Sequence, residues 1–253
     1  MIEVKTPDQI DRMRKPCLMV GKVLAHLSEM IKPGVTTQAL DDAARDLISE
    51  LGGKPAFKGY RGFPAHICAS VNTVVVHGIP GETVLQEGDI VGIDVGVEYD
   101  GYFGDAAFSA AVGRITPEAQ KLMDVTQECL AVGIAQARPG GRVGDIGAAV
   151  QAFAESHGFG VVREFTGHGI GTQMHQDPQV PNFGKAGFGA LLKEGMCLAI
   201  EPMINAGRPE VEILEDGWTV VTQDGSLAAH FEHSIAITAN GPEILTEWPK
   251  KKQ

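Results

Sequence analysis

Acidic residues interrupt apolar runs at several places in the chain. Asp94 lies inside Ile90-Val91-Gly92-Ile93-Asp94-Val95-Gly96-Val97, and Asp105 follows shortly after the turn signal Asp100-Gly101. Glu201 closes Cys197-Leu198-Ala199-Ile200-Glu201, and Glu232 sits in the strand-like stretch from His230 to Thr238. A carboxylate rooted in an apolar strand is costly unless it is hydrogen-bonded, paired or held against a cation. If Asp100-Gly101 form the two-residue loop of a type I′ hairpin, Tyr99 pairs with Tyr102, Asp94 with Ala107 and Gly96 with Asp105. Asp94 and Asp105 are then diagonal neighbours on one face, with Cβ atoms about 7 Å apart. A hairpin over Asp216-Gly217 would pair Glu201 with Glu232 in the same way, but a second turn signal at Asp224-Gly225 leaves that register open.

Carboxylate oxygens joined by an imidazole suit a pair of divalent ions such as Mn, Fe, Co or Zn. The imidazole candidate is His168, in Gly167-His168-Gly169-Ile170-Gly171, where the glycines let the backbone approach closely. This segment reads as a loop. As a phosphate loop it fails, because no helical pattern follows and Pro178 comes soon after. His77 ends Val74-Val75-Val76, and His175 follows His168, without the His-Glu-x-x-His spacing of a helical zinc site. His26, His66, His157, His230 and His233 read as surface or packing residues, with a supporting place beside the site left open for His66 and His233.

These residues need elements to position them, and the elements come twice. Thr6-Pro7-Asp8-Gln9 has the form of a helix start with a capping box. Ile10, Met13, Cys17, Val20, Leu24 and Ile31 follow at helical spacing up to Lys32-Pro33-Gly34, with Pro16 marking a kink or a late start. A second helix reads from Thr37 and stops at Gly52-Gly53. The same layout returns with Thr116-Pro117-Glu118, Arg138-Pro139-Gly140 and a further helix ending near Gly158. The offset between the helix starts, the Pro-Gly pairs and the Asp94/Glu201 pair is nearly constant. A helix–helix–sheet unit is thus repeated, which predicts an α+β domain of two pseudo-symmetric halves, roughly 1–113 and 114–253, within one catalytic domain spanning 1–253.

Composition limits the alternatives. The chain of 253 residues carries a formal charge of −11, which argues against non-specific binding to nucleic acid or anionic membranes. Its only basic run is Lys250-Lys251-Lys252, read as a solvated tail. Cys17, Cys68, Cys129 and Cys197 show no paired spacing, which fits a reducing compartment. The start lacks the charge-then-apolar pattern of a signal peptide, and no apolar run approaches the ~20 residues of a membrane span. A cytoplasmic protein is expected.

The ordered series Gly59-Tyr60-Arg61-Gly62-Phe63-Pro64, Cys68-Ala69-Ser70-Val71-Asn72, Val76-His77-Gly78-Ile79-Pro80, Asp94, Gly104-Asp105, Gly167 to Gly171, Glu201-Pro202-Met203 and Phe231-Glu232-His233-Ser234 resembles the type I methionine aminopeptidases over nearly the whole chain. The resemblance implies the pita-bread fold, two αβ halves around a central antiparallel sheet, and a dinuclear site. It implies metal ligands Asp94, Asp105, His168, Glu201 and Glu232, with Asp105 and Glu232 bridging. The ions would be two of Co, Mn, Fe or Zn. It assigns substrate contacts to His77 and His175, and a methionine pocket to Tyr60, Phe63, Cys68, Trp218 and Met174. A bridging hydroxide would attack the first peptide carbonyl, Glu201 would carry the proton and His175 would stabilise the oxyanion. Met174-His175-Gln176-Asp177-Pro178 departs from the commoner Phe-His-Glu-Glu-Pro, and Ala65-His66 from Lys-Ser. The implied partners are nascent polypeptides with an N-terminal methionine and a small second residue, and the ribosome. The implied protein is a cytoplasmic monomer without a zinc-finger extension or the type II helical insertion. A proline-specific aminopeptidase or dipeptidase on the same fold, or a non-catalytic binding relative, are the alternatives.

Overall fold

Thr6 caps the first helix, α1 (Pro7–Met30), with the expected reciprocal bonds: Gln9 N donates to Thr6 Oγ1 at 3.3 Å and Thr6 N to Gln9 Oε1 at 2.9 Å. The helix neither starts late nor breaks at Pro16, which is buried within it. Thr36 caps α2 (Thr37–Glu50), Thr116 caps α3 (Pro117–Gln136), and Asp145 accepts from Arg142 N at the start of α4 (Val143–Ser156). The buried faces carry the residues that helical spacing selects: Met13, Cys17, Val20 and Leu24; Leu40, Ala44 and Ile48; Leu122, Val125 and Cys129; Ile146 and Val150. This computed structural model describes residues 2–248; the Lys250–Lys252 run expected as a solvated tail lies outside the described residues.

The strands of the first half are β1 (Lys54–Pro55), β2 (Cys68–Val71), β3 (Val74–Val76), β4 (Ile90–Tyr99) and β5 (Tyr102–Ala111). The second half supplies β6 (Gly160–Val161), β7 (Gly167–Gly169), β8 (Gln176–Val180), β9 (Cys197–Ile200), β10 (Met203–Asn205), β11 (Val211–Ile213), β12 (Val220–Thr222), β13 (Ala228–His230), β14 (Glu232–Thr238) and β15 (Gly241–Ile244). The main sheet runs β1-β4-β5-β14-β9-β7-β8, with β2 also on β4 and β15 on β14. The two halves therefore meet at the β5–β14 seam, where Glu232 pairs with Ala107 and His233 with Ala106.

The β4–β5 hairpin has the register read from its turn: Tyr99↔Tyr102, Asp94↔Ala107 and Gly96↔Asp105, with φ +51° at Asp100 and +75° at Gly101 as a type I′ turn requires. The second-half register, left open above, resolves the same way. Cys197↔Ala236, Met203↔His230, Val211↔Thr222 and Ile213↔Val220 belong to one continuous pairing that bends through three short strand pairs and closes at Asp216-Gly217. Asp224-Gly225 makes only a local excursion opposite Arg208, whose N–H donates to Asp224. Further corrections concern the return strand, which breaks at Phe231 into β13 and β14, and the glycine-flanked His168, which is not in a loop but in the buried strand β7, paired with Ala199 of β9.

A candidate metal centre beside an apolar pocket

Register alone puts the acidic residues on one face. Cys68, Asp94, Ala107 and Glu232 form a transverse row across β2, β4, β5 and β14. Asp105 lies two residues from Ala107 on the same strand, so it shares that face. Glu201 lies one residue beyond the Ile200–His233 pair, opposite Glu232. His168 pairs with Ala199, two residues before Glu201, and so points to the same side. The first half contributes Asp94 and Asp105, the second His168, Glu201 and Glu232.

The side chains converge accordingly. His168 Nε2 lies 3.7 Å from Asp105 Oδ2 and 3.5 Å from Glu201 Oε1. One donor atom each from Asp105, His168 and Glu232 fall within 4.8 Å of one another, as do those of Glu201, His230 and Glu232. Asp94 lines the same cavity as Asp105, His168, Glu201 and Glu232. Burial pushes the Asp94 carboxyl up to about 7. Asp105, Glu201 and Glu232 are raised well above the ordinary carboxylate range, first by burial and then by one another's charge. His168 N–H at Nδ1 donates to the Gly169 carbonyl at 2.9 Å, leaving Nε2 as a free lone pair, and burial lowers the ring's pKa to about 4.

Asp94 Oδ1, Asp105 Oδ1 and Glu232 Oε1 are buried without any hydrogen-bond donor. Buried, unsatisfied and mutually repelling oxygens next to a neutral imidazole lone pair are the donor set that a divalent cation satisfies. The residues present therefore fit such ions.

The face of this cluster opens on an apolar pocket of Phe57, Phe63, Ala65, Cys68 and Met174, bordered by Tyr60, Ile79, Phe103 and Trp218. Its cavity measures about 130 Å³ and is lined jointly by these side chains and the carboxylates. Phe63 meets Trp218 edge-on at 5.1 Å, and Asp216 holds the Trp218 and Thr219 backbone at the hairpin tip. A wider groove of about 890 Å³ runs outward past His77, Phe165, His168, His175 and Glu201. His77 adopts φ +59°, turning its ring between Phe165 and Trp218, and burial lowers its pKa to about 4. His175 stands at the rim, its Nδ1 2.9 Å from the Tyr60 hydroxyl and its ring 4.2 Å from that of His168. Partial burial and the neighbouring His168, Arg61 and His77 hold it below the usual histidine range.

The structure thus brings together the residues that the resemblance assigns to the site: Asp94, Asp105, His168, Glu201 and Glu232 in the cluster, Tyr60, Phe63, Cys68, Met174 and Trp218 in the pocket, and His77 and His175 at the mouth. It adds Phe57, Arg61 and His230. His230 was read as a packing residue, yet its Nε2 is buried, without a partner, and 3.8 Å from Glu201 Oε2. Strand periodicity carried the signal, since residues 230 and 232 share a face. His66 is not beside the site; its Nδ1 and backbone N–H are held by Asp41 of α2 at 2.7 Å. His233 faces Thr246 and Trp248 on the other side of the sheet.

Residues 11–239 match the model of metallopeptidase family M24. A methionine aminopeptidase of Clostridium acetobutylicum is 51% identical over 247 residues, 97% of this chain and 99% of its own. The crystal structure of methionine aminopeptidase from Rickettsia prowazekii superposes with a TM-score of 0.96 at 44% identity, covering 98% of this chain and 100% of that one. A prolidase from Pyrococcus furiosus shares the fold, with a TM-score of 0.80 at 22% identity, over 98% of this chain and 66% of its own.

Proposed function

The chain belongs to metallopeptidase family M24, and from that premise we propose that Asp94, Asp105, His168, Glu201 and Glu232 hold two divalent ions drawn from Co, Mn, Fe or Zn. The reaction is that of the methionine aminopeptidases, the hydrolytic removal of an N-terminal methionine, which full-length relatives at about half identity share. The proline-specific alternative is left with relatives that match in fold only. A non-catalytic relative is disfavoured by the intact set of buried donors. The observation carrying the site assignment is the group of donorless oxygens facing a lone imidazole lone pair at the end of an apolar pocket.

When bound, such ions supply Lewis acidity that lowers the pKa of a water and polarises the peptide carbonyl. The chain's own residues do the rest. The pocket of Phe57, Tyr60, Phe63, Cys68, Met174 and Trp218 accepts an unbranched, polarizable methionine side chain. Glu201, at the boundary of cluster and groove, takes the proton from the attacking water and delivers it toward the leaving nitrogen. With the Tyr60 hydroxyl donating to Nδ1, His175 keeps its hydrogen on Nε2 and presents it to the carbonyl oxygen as negative charge develops there. His77, neutral near pH 7, hydrogen-bonds the scissile amide rather than acting as a cationic acid. A small second residue is preferred, as the resemblance to the methionine aminopeptidases implies. The chain works as one catalytic domain whose halves, roughly 1–113 and 114–253, both contribute ligands. It acts as a monomer in the cytoplasm on nascent polypeptides, which it could meet at the ribosome; no helix among the described residues is long and apolar enough to cross a membrane.

Cleavage of Met-Ala-Ser, formyl-Met-Ala-Ser and Ala-Pro-Ser by the purified, Co(II)-loaded protein, followed by mass spectrometry, tests this reading. Only Met-Ala-Ser is expected to be cut, and Asp105→Asn and Glu201→Gln each lower its turnover by at least about a thousandfold. Faster cleavage of Ala-Pro-Ser, or full activity of Glu201→Gln, contradicts it.

A further inference from the structure

We propose that His230 is an additional metal-ligating residue, so that each ion of the pair receives one imidazole, His168 on one side of Glu201 and His230 on the other. The two rings flank the Glu201 carboxylate: His168 Nε2 is 3.5 Å from Oε1 and His230 Nε2 is 3.8 Å from Oε2. The latter distance is too long for a hydrogen bond, which ends near 3.2 Å. It matches two donors on a common ion, because bonds of about 2.0–2.2 Å put neighbouring ligands about 3–4 Å apart. His230 Nε2 is also buried and has no hydrogen-bond partner. Glu201, His230 and Glu232 each offer an atom within 4.8 Å of the others.

The backbone aims the ring. Ser109 of β5 clamps residue 230 from both sides, its hydroxyl accepting from His230 N and donating to His230 O, each at 3.0 Å. The pairing of His230 with Met203 and of Phe231 N–H with Pro202 O keeps residues 230 and 232 on the face that carries Glu201. A second imidazole makes the donor set richer in nitrogen, which favours Co and Zn over Mn at that ion relative to an all-carboxylate position.

The inference rests on the dinuclear reading above, and the test separates the two. Metal-free protein is titrated with Co(II), and X-ray absorption counts imidazole nitrogens at saturation. Two imidazoles per two ions are expected in the wild-type protein and one in His230→Gln, with one of the two binding events weakened by about 10–100-fold. His230→Asn serves as a second variant, with thermal melting to show that both fold. Two bound ions with a single imidazole in the wild-type protein overturn the His230 assignment alone, as does unchanged Co(II) affinity in both variants. Failure of the wild-type protein to bind Co(II) overturns the dinuclear reading itself.

Discussion

The site consists of groups held in protonation states they would not have in water, and this has a consequence for stability. A buried carboxyl with a raised pKa keeps a proton in the folded chain that the unfolded chain has lost, so it costs stability as pH climbs from the unfolded value through the folded one. Asp94, raised from 3.8 to about 7, and the more strongly raised Asp105, Glu201 and Glu232 all act in this direction. His77, His168 and His230 act in reverse: lowered from 6.5 to about 4 or about 3, they cost stability as pH falls through that interval. Below 6.5 the two sets oppose each other, whereas above it the unfolded histidines progressively lose their charge too and the carboxylates come to dominate. Chelator-treated protein is therefore expected to show a falling Tm from pH 6.5 to about 8, and Mn(II) to restore more of it at the upper end, because the ion displaces the protons. Scanning calorimetry at several pH values checks this. A metal-free Tm that rises over the interval would show that burial does not hold these carboxyls above their ordinary range.

Elements, not single residues, set the site's precision. The strand β8 and the loop before it carry Met174 and His175 to the pocket, and that loop is anchored by the segment preceding α1. Lys5, with only 1% of its side chain exposed, extends its ammonium toward Gln176 Oε1 at 3.3 Å and Glu3 Oε2 at 3.5 Å, while Gln176 also donates to Glu3 at 2.8 Å. A Cβ on Gly171 would run into the end of the Lys5 side chain, so a larger residue there would push the ammonium aside. Lys5→Met removes the charge while keeping the stem. It is expected to lower kcat/KM on Met-Ala-Ser by roughly tenfold to a hundredfold, mainly in kcat, through displacement of His175 by a fraction of an ångström. Co(II) affinity should be retained, and Lys5→Arg should recover part of the loss. An unchanged kcat in Lys5→Met would mean that the anchor does not position His175.

The legible elements were those with local signals. The Asp100-Gly101 turn predicts the β4–β5 register residue by residue, and the helix caps at Thr6 and Thr116 lie where the motifs put them. Glu201 opposite Glu232 followed from the Asp216-Gly217 turn, but a competing turn hid it because strand breaks at residues 201–202, 206–210 and 231 blur the period of 2. The strand character of Gly167–Gly169 was invisible, since two glycines carry no β-propensity and the pairing with β9 is long-range. His230 and Lys5 were missed for a related reason: each is a polar residue whose partners arrive from distant parts of the chain.

For the molecule as a whole, the β5–β14 seam is where the duplication becomes functional. On the proposed assignment the donors come from both halves, Asp94 and Asp105 from one and His168, Glu201 and Glu232 from the other. Ions held in that way would link binding to the association of the halves, and would stabilise the assembled state by about 2.7 kcal/mol per site at a hundredfold excess over Kd. The apolar pocket is shared too: Phe57, Phe63 and Cys68 face Met174 and Trp218 across the same line. An anomalous difference map from Mn(II)-soaked crystals measures the shared centre directly. Two peaks are expected, each within about 2.0–2.5 Å of side-chain donors from Asp94, Asp105, His168, Glu201 and Glu232. A map with no peak among these residues, or with ions bound by one half alone, would contradict the account.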